Sequence, residues 1–361
     1  MKIIKKIIRI LITTVLIFLL MVVRLFSVRI YDIEVQKRHM KDLNAMYASY
    51  TTPIDDQQFA DFDISSSHLK LNEIQYLATH NSYKGMSTPL GRFFVGLGDS
   101  FQEALALKYS YKTLTEQLKS GIRSMELDVR YRKQTFILNH VPLVDNSSVA
   151  PNLALALEEI NLYMTYNPNH MPIILIFEMK DDWMMLDPML KPMDNDVLVQ
   201  FNDLIKNVFG DKLYSPNDLR IDNLSINDTI KTHGWPEISS LLGKIICVMH
   251  PSSINQTYRG IDFSSSKQAL FSGSYKDDIE HDDTSFIIHN DIDVASIESL
   301  VQMGYIVRTR MDESLIYKDE QRLLAISSGA HILSSDFTIG RKDLSSSLII
   351  DLNGFTMIRR L

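Results

Sequence analysis

Four short segments near the middle of this chain carry polar or charged side chains at the ends of apolar, β-prone runs. An unpaired buried charge is costly, so a buried strand that ends in a carboxylate indicates a function for that carboxylate. Two imidazoles can transfer protons, and several oxygen ligands can hold a hard cation, a combination that suits phosphodiester chemistry. We therefore expect one convergent site, formed by Ala-Thr-His80-Asn81-Ser, Met-Glu126-Leu-Asp128-Val-Arg, Leu-Asn-His140 and Ile-Phe-Glu178-Met-Lys180.

The spacing of Glu126 and Asp128 points to a metal. Residues two apart in a strand face the same side, so both carboxylates would point to one place. Two like charges at close range stay ionised only with a compensating cation. Oxygen ligands without a neighbouring cysteine favour Ca²⁺ or Mg²⁺ over Zn²⁺. Asn81 and Glu178 are the further candidate ligands, and the alternative is an exposed edge strand with alternating charges.

His80 and His140 each end a β run and are the candidate proton-transfer groups, although a single histidine is more often structural. Lys180 follows Glu178 by two residues and is a candidate cation for a phosphate. An ion pair between Lys180 and Glu178, or between Lys180 and the aspartates that follow it, is the alternative.

A late segment supplies further candidates for contact with a substrate. Arg308 and Arg310 flank Thr309 and point to one face of a predicted strand. Their alternative role is an ion pair with Asp312 or a neighbouring carboxylate. Asp336 follows another short apolar run and is a candidate member of the site or of its surroundings.

Strand-like runs alternate with helical patterns over most of the chain, which indicates an α/β fold with a parallel sheet. About eight strands favour a closed barrel, and the absence of a Gly-x-Gly-x-x-Gly turn counts against a dinucleotide-binding fold. In such barrels the carboxyl ends of the strands form the active site. The predicted strands cover residues 74–79, 122–129, 135–139, 172–178, 244–249, 286–289, 305–309 and 331–335.

The N-terminus reads as a membrane segment. Residues 10–23 carry no charge, and the apolar stretch extends to roughly 7–28 if the flanking arginines reach the interface. We predict an uncleaved signal anchor over residues 1–31, a polar stalk over 32–70 and a catalytic domain over 71–361. Basic residues before the apolar run predict a cytoplasmic N-terminus and a non-cytoplasmic catalytic domain. Secretion after signal cleavage is the alternative.

Charge is unevenly distributed along the chain. Residues 1–38 contain eight Lys or Arg and two Asp or Glu, a balance of +6; because the whole chain carries −7, residues 39–361 carry −13. An acidic body argues against nucleic acid as a partner. The single cysteine, Cys247, excludes an intramolecular disulfide and a thiolate metal site. No obligate protein partner is evident from the sequence.

Taken together, these motifs resemble the calcium-dependent phosphoinositide-specific phospholipases C of the single-domain type. The resemblance spans roughly residues 70–340 and includes the late segments Gly304-Tyr-Ile-Val-Arg308-Thr-Arg310-x-Asp312 and Ser328-Gly329-Ala-His-Ile-Leu-Ser-Ser-Asp336-Phe. It implies a distorted TIM (β/α)8 barrel and a phosphoinositide headgroup as substrate. It also implies that Ca²⁺ is held by Asn81, Glu126, Asp128 and Glu178, with His80 and His140 as acid and base.

The resemblance further implies attack of the inositol 2-hydroxyl on the phosphodiester, which would release diacylglycerol and a cyclic or acyclic inositol phosphate. One histidine, or the metal-linked Glu126, would take the hydroxyl proton, and the other histidine would protonate the leaving oxygen. Two alternatives remain at this stage. A glycerophosphodiester phosphodiesterase would carry His-Arg-Gly where this chain has His80-Asn81-Ser82. A catalytically silent, membrane-anchored lipid-binding module is the other.

Overall fold

A closed barrel of eight parallel strands forms the centre of the computed structural model, which describes residues 2–65, 68–263 and 267–360. Each barrel strand is buried nearly throughout because helices cover the outside, as expected for parallel strands. In order around the barrel, the strands are β1 (Ile74–Thr79), β2 (Ser124–Arg132), β4 (Ile173–Met179), β6 (Ile245–Met249), β7 (Phe271–Ser274), β8 (Phe286–Ile288), β9 (Ile306–Arg310) and β10 (Ile332–Ser335).

The barrel closes at β1, which pairs in parallel with β10 on one side and with β2 on the other. Three short strands lie outside the ring. β3 (Thr135–Leu138) and β5 (Leu190–Lys191) pair antiparallel with β2, and β11 (Met357–Arg359) pairs antiparallel with β1. The predicted TIM-like barrel is confirmed. One strand assignment differs. The strand expected over 135–139 is β3, which lies outside the ring, and the barrel contains β7 instead, a strand that was not predicted.

Helices follow the strands and cover the barrel. The helices are α1 (Lys2–Ala48), α2 (Pro89–Gly98), α3 (Phe101–Ala106), α4 (Leu114–Lys119), α5 (Leu153–Tyr166), α6 (Asn195–Phe209), α7 (Pro216–Leu219), α8 (Ile226–Thr232), α9 (Ser253–Arg259), α10 (Val294–Gln302) and α11 (Asp319–Ser327).

The N-terminal helix α1 is longer than the expected anchor. Residues 3–20 are exposed, and by length and composition the helix is able to cross a membrane. From Leu25 onward it packs on the body of the protein, and Met40, Leu43 and Tyr47 are buried against α5 and its surroundings. Residues 32–48 are therefore helical and packed on the body of the protein.

The packing of α1 on α5 has a physical cause in the sequence. Gln36, Met40, Leu43 and Tyr47 are spaced four, three and four residues apart, so they share one face of a helix among exposed charged neighbours. That narrow stripe is enough to bind α5. Ser66 and Ser67 of the same segment lie outside the described residues. The division into 1–31, 32–70 and 71–361 stays a prediction.

Candidate active site

The carboxyl ends of β1, β2 and β4 bring the first group of candidate residues together. Ala78 and Thr79 of β1 pair with Ser124 and Met125 of β2, which places the turn after β1 beside Glu126. On the other side of β2, Asp128 lies directly opposite Glu178 of β4. Side chains that the sequence separates by about fifty residues are thus neighbours at one end of the barrel.

The turn that carries His80 and Asn81 is tied to β2 by hydrogen bonds. The Ser82 amide donates to the Glu126 carbonyl at 2.9 Å, and the Glu126 amide donates to Ser82 Oγ at 3.0 Å. Asn81 adopts a φ of 49°, a left-handed conformation that asparagine tolerates better than most residues. The backbone therefore turns sharply here and aims both side chains at the end of β2.

Three carboxylates form the centre of the site. Oxygen atoms of Glu126, Asp128 and Glu178 lie within 4.8 Å of one another, and Asp128 is fully buried. Burial raises the pKa of Asp128, and Glu178 adds to the effect, although Lys180 opposes it. Three acidic groups at this distance repel one another unless a cation lies between them, so their arrangement fits a hard divalent ion.

The side-chain amide of Asn81, the further predicted ligand, lies beside Asp128. One atom of this amide lies 3.0 and 3.3 Å from the two carboxylate oxygens of Asp128, and the other contacts the Tyr109 hydroxyl at 3.3 Å. With nitrogen toward Asp128 the contact is an ordinary hydrogen bond. With oxygen toward Asp128 two oxygens face each other, an arrangement that only a cation stabilises. The hydrogen bonds of the described residues favour nitrogen toward Asp128, so Asn81 would offer its oxygen to a cation after a rotation of the amide alone.

Lys180 lies among these carboxylates. Its ammonium group is 3.0 Å from Glu178 and 3.3 Å from Asp128. Burial by itself lowers the pKa of Lys180, but Asp128 and Glu178 outweigh burial and raise it. The structure thus places Lys180 in ion pairs, the alternative role that the sequence left open. It supplies positive charge to a cluster that is otherwise strongly acidic.

Arg308 joins the opposite side of the barrel to the acidic cluster. Its guanidinium donates to Glu126 at 2.5 Å and to Ser334 Oγ at 3.2 Å. Burial opposes ionisation of Glu126, but Arg308 and then His80 lower the pKa of Glu126 to about 2. Glu126 is therefore ionised throughout the physiological pH range and is suited to bind a metal.

His80 is held by a carboxylate from β10's end. Its Nδ1 lies 3.0 Å from Asp336, and Arg310 is 3.9 Å from the same carboxylate. Burial disfavours the imidazolium, but Asp336 raises the pKa of His80 above its usual value. Asp336 and Arg310, expected to bind substrate, thus act on the histidine, and His80 Nε2 is left to face the site.

His140 has a corresponding partner that sequence reasoning missed. Its Nδ1 lies 3.1 Å from Asp145, whose other oxygen is 2.5 Å from the buried Lys84 ammonium. Burial would raise the pKa of Asp145, but Lys84 and the His140 hydrogen bond lower it to about 2. The sequence gives no signal for this pair, because Asp145 follows a turn without periodicity.

All the candidate residues come from one end of the barrel. His80 interacts electrostatically with Glu126, and His140 does so with Asp128, so both imidazoles lie beside the acidic cluster. Asp312 is a further residue that was not singled out: it accepts a hydrogen bond from the Asp336 amide at 3.0 Å. Burial and the neighbouring Asp336 raise the pKa of Asp312 to about 6.

Comparison with known proteins decides the family. The family model described as phosphoinositide phospholipase C, Ca²⁺-dependent, matches residues 69–135 and 130–360. The chain belongs to this family. It is an enzyme of the phosphoinositide-specific phospholipase C type, and calcium is the cofactor of the family. None of the proteins with curated descriptions matches the chain in sequence.

Solved structures share the fold. The apo form of the calcium-dependent phosphoinositol-specific phospholipase C from Pseudomonas sp. is 17% identical, with a TM-score of 0.58 over 85% of this chain and 100% of that one. Its myoinositol complex is also 17% identical, with a TM-score of 0.59 over 86% of this chain and 99% of that one. The Ca²⁺-dependent phosphatidylinositol-specific enzyme from Streptomyces antibioticus is 14% identical, with a TM-score of 0.52 over 74% and 94%.

Proposed function

We propose that this enzyme cleaves phosphatidylinositol-type lipids in a calcium-dependent reaction, releasing diacylglycerol and an inositol phosphate. The observation that carries the proposal is the pair of imidazoles beside one acidic cluster, each with its Nδ1 on its own carboxylate. A phosphodiester transfer needs a proton removed from one oxygen and a proton delivered to another. Two histidines with fixed orientations meet that need.

The proposed nucleophile is the 2-hydroxyl of the inositol ring, because a vicinal hydroxyl attacks the phosphorus intramolecularly. One histidine or Glu126 takes the proton of that hydroxyl, and the other histidine protonates the diacylglycerol oxygen as it leaves. Asp336 and Asp145 stabilise the imidazolium forms of His80 and His140. Asn81, Glu126, Asp128 and Glu178 would hold Ca²⁺, which would lower the pKa of the attacking hydroxyl and offset negative charge at the phosphoryl group.

We further propose that the protein lies on a membrane. In support, the apolar residues 3–20 of α1 are exposed, and α1 touches α2. The hairpin of α2 and α3 also exposes large apolar side chains, among them Phe93, Leu97, Phe101 and Leu105. An apolar helix beside an apolar hairpin fits a lipid surface.

As for topology, the proposal is an uncleaved signal anchor with the barrel on the non-cytoplasmic side. The basic residues that precede the apolar run, Lys2, Lys5, Lys6 and Arg9, support it. Added protease should digest the barrel in intact cells. Protection of the barrel from protease would show that the orientation is the reverse of the proposed one. Cleavage near residue 30, with release of the rest of the protein into the medium, would show that the N-terminal segment is a signal peptide.

A hydrolysis assay with two substrates tests the reaction. Phosphatidylinositol and glycerophosphocholine are offered to the full-length protein with Ca²⁺ or with a chelator. We expect calcium-dependent turnover of phosphatidylinositol alone. Turnover of glycerophosphocholine instead would indicate a glycerophosphodiester phosphodiesterase, and no turnover of either would indicate a binding module.

Calorimetric titration tests the metal site. Asp128→Asn removes one negative charge from the oxygen donors while keeping the shape of the side chain, so we expect weaker Ca²⁺ binding with an intact fold. Asp181→Asn is the matched control, because this neighbouring carboxylate is exposed. Unchanged affinity in Asp128→Asn would remove Asp128 from the ligand set.

A further inference from the structure

The loop over residues 139–152 carries both His140 and its partner Asp145, and it lies between two supports. On one side the Val149 amide donates to the Tyr83 carbonyl at 2.8 Å, and the Gly85 amide donates to the Ser147 carbonyl at 3.1 Å. That side continues the turn after Asn81 and belongs to the barrel. The other side of the loop faces α1.

The contact with α1 is polar and specific. The Ser148 amide donates to the Asp32 carboxylate at 3.0 Å, and Ser147 Oγ donates to the same oxygen at 3.2 Å. One turn further along α1, the Gln36 side chain pairs with the Asn152 backbone, accepting from its amide at 2.9 Å and donating to its carbonyl at 3.0 Å. The loop is therefore bound to α1 at two successive points.

The Ser148 amide that donates to Asp32 is in a buried residue, so losing Asp32 would destabilise the loop. Ser148 is buried, so its amide has no ready access to water if Asp32 is lost. A buried amide without an acceptor destabilises the conformation that buries it. Ser148 is only three residues from Asp145, so a shift of the backbone here moves the carboxylate that orients His140. Asp32 itself is half-buried and lies outside the apolar stretch.

We propose that Asp32 is a positioning residue for catalysis: by accepting from Ser147 and Ser148, it fixes the 139–152 loop so that Asp145 orients His140. The membrane-anchoring helix α1 thereby supports the catalytic machinery directly as well as tethering it. This inference rests on the proposed role of His140 as an acid or base. It concerns a helix that precedes the barrel and lies outside the segment that the family model matches.

Steady-state kinetics of the full-length protein in detergent micelles, with a short-chain phosphatidylinositol, test the proposal. Asp32→Ala should lower kcat about five- to tenfold with little change in KM, because the histidine is displaced while the rest of the site is intact. Asp32→Asn keeps an acceptor oxygen and should restore most of kcat. Glu34→Ala is the matched control, since Glu34 lies on the exposed face of the same helix and its carboxylate pairs with the exposed Lys37.

A double-mutant cycle separates positioning from general destabilisation. If Asp32 acts through His140, Asp32→Ala should cost little further activity in a His140→Ala background. It should keep its full five- to tenfold cost in a His80→Ala background, where the residual activity depends on His140. Equal multiplicative losses in both backgrounds, or wild-type kcat in Asp32→Ala, would overturn the proposal.

Hydrogen–deuterium exchange provides a readout that needs no activity. Peptides covering 139–150 should exchange faster in Asp32→Ala than in wild type, while peptides from β4 stay unchanged and show that the barrel is intact. Unchanged exchange in the loop would reject its support by Asp32. A wild-type protein inactive on the lipid would reject the proposed function, and the exchange result would still decide whether Asp32 holds the loop.

Discussion

The two imidazoles of the site use the same device with different partners. Each Nδ1 meets a buried carboxylate, and each carboxylate meets a cation, Arg310 beside Asp336 and Lys84 beside Asp145. Each cation favours the ionised form of its carboxylate, which can then accept a hydrogen bond from Nδ1 and fix the orientation of the ring. In the proposed mechanism, Nε2 of each ring would then exchange protons with the substrate.

Removing either imidazole should therefore stop proton transfer without unfolding the protein. We expect His80→Ala and His140→Ala each to lower kcat by ~100-fold or more, the usual scale for losing a general acid or base. Initial rates at saturating Ca²⁺ give kcat, and thermal melts follow the fold. His233→Ala, outside the site, is the control. A large drop in melting temperature with normal activity per folded molecule would indicate structural histidines instead.

Asp145 also makes stability depend on pH. Its pKa lies near 2 in the folded protein and near 3.8 when unfolded, so its contribution is present above pH 4 and is lost as pH falls toward 2. The shift corresponds to roughly 2 kcal/mol at neutral pH. Denaturant unfolding of wild type and Asp145→Asn should therefore differ by about 1 kcal/mol less at pH 3 than at pH 6.

Asp196→Asn, which changes an exposed carboxylate, serves as the control for that measurement. A difference between wild type and Asp145→Asn that is the same at both pH values would contradict the depressed pKa of Asp145.

At the scale of elements, β2 organises the site, and this much follows from sequence. Alternation along a strand places Glu126 and Asp128 on one face, and a parallel barrel gathers strand ends at one rim. The residues that end β1, β2 and β4 were predictable for that reason. β7 was not, because Phe-Ser-Gly-Ser contains no apolar run.

The ion-pair and hydrogen-bond partners of the site residues could not be predicted from the sequence, because the tertiary structure determines them. Arg308 precedes Asp312 by four residues, yet it pairs with Glu126, 182 residues away. Asp145 contacts His140 within the 139–152 loop, and Asp32 of α1 contacts Ser147 and Ser148 of the same loop, so these contacts depend on how the loop and α1 pack together. The packing of α1 on the barrel could have been predicted from the helical spacing of the apolar residues in α1. The charged residues between them made the segment resemble a polar linker.

Tyr47 tests the docking of α1 as an element. Its ring is buried and stacks on Tyr166 of α5 with centroids 4.6 Å apart, while its hydroxyl has no hydrogen-bond partner within the described part of the chain. Tyr47→Ala should lower the free energy of unfolding by about 3 kcal/mol, the scale of losing a buried aromatic ring. Denaturant unfolding in detergent measures it.

Tyr47→Phe keeps the ring and should be nearly neutral, which makes it the matched control. Equal losses in Tyr47→Ala and Tyr47→Phe would show that the hydroxyl rather than the packed ring stabilises the contact, and no loss in either would show that α1 is not docked through this face.

At the scale of the whole molecule, α1 runs from the far end of α5 to the mouth of the barrel. The Leu25 carbonyl accepts from Asn146 in the His140 loop, whereas Tyr47 lies beside Tyr166 at the far end of α5. The exposed apolar half of α1 therefore leaves the body on the side of the active site. A helix rises about 1.5 Å per residue, so residues 3–20 span nearly the apolar thickness of a bilayer.

Deleting residues 1–20 removes that exposed half and leaves the docked half in place. The shortened enzyme should move to the soluble fraction and keep its kcat toward a short-chain soluble substrate within about twofold. Its turnover of vesicle lipid at low protein concentration should fall by ~100-fold, because tethering raises the effective concentration of substrate. Fractionation and parallel assays measure both.

Deletion of residues 1–48 is the informative contrast, because it also removes Asp32 and Tyr47 from the body of the protein. We expect this second deletion to lose activity on the soluble substrate too, since the His140 loop is then unsupported on one side. If both deletions retain full activity on soluble substrate, α1 serves only as a tether. If the 1–20 deletion stays in the membrane fraction, the apolar half of α1 is not the anchor, and the α2–α3 hairpin must supply the attachment.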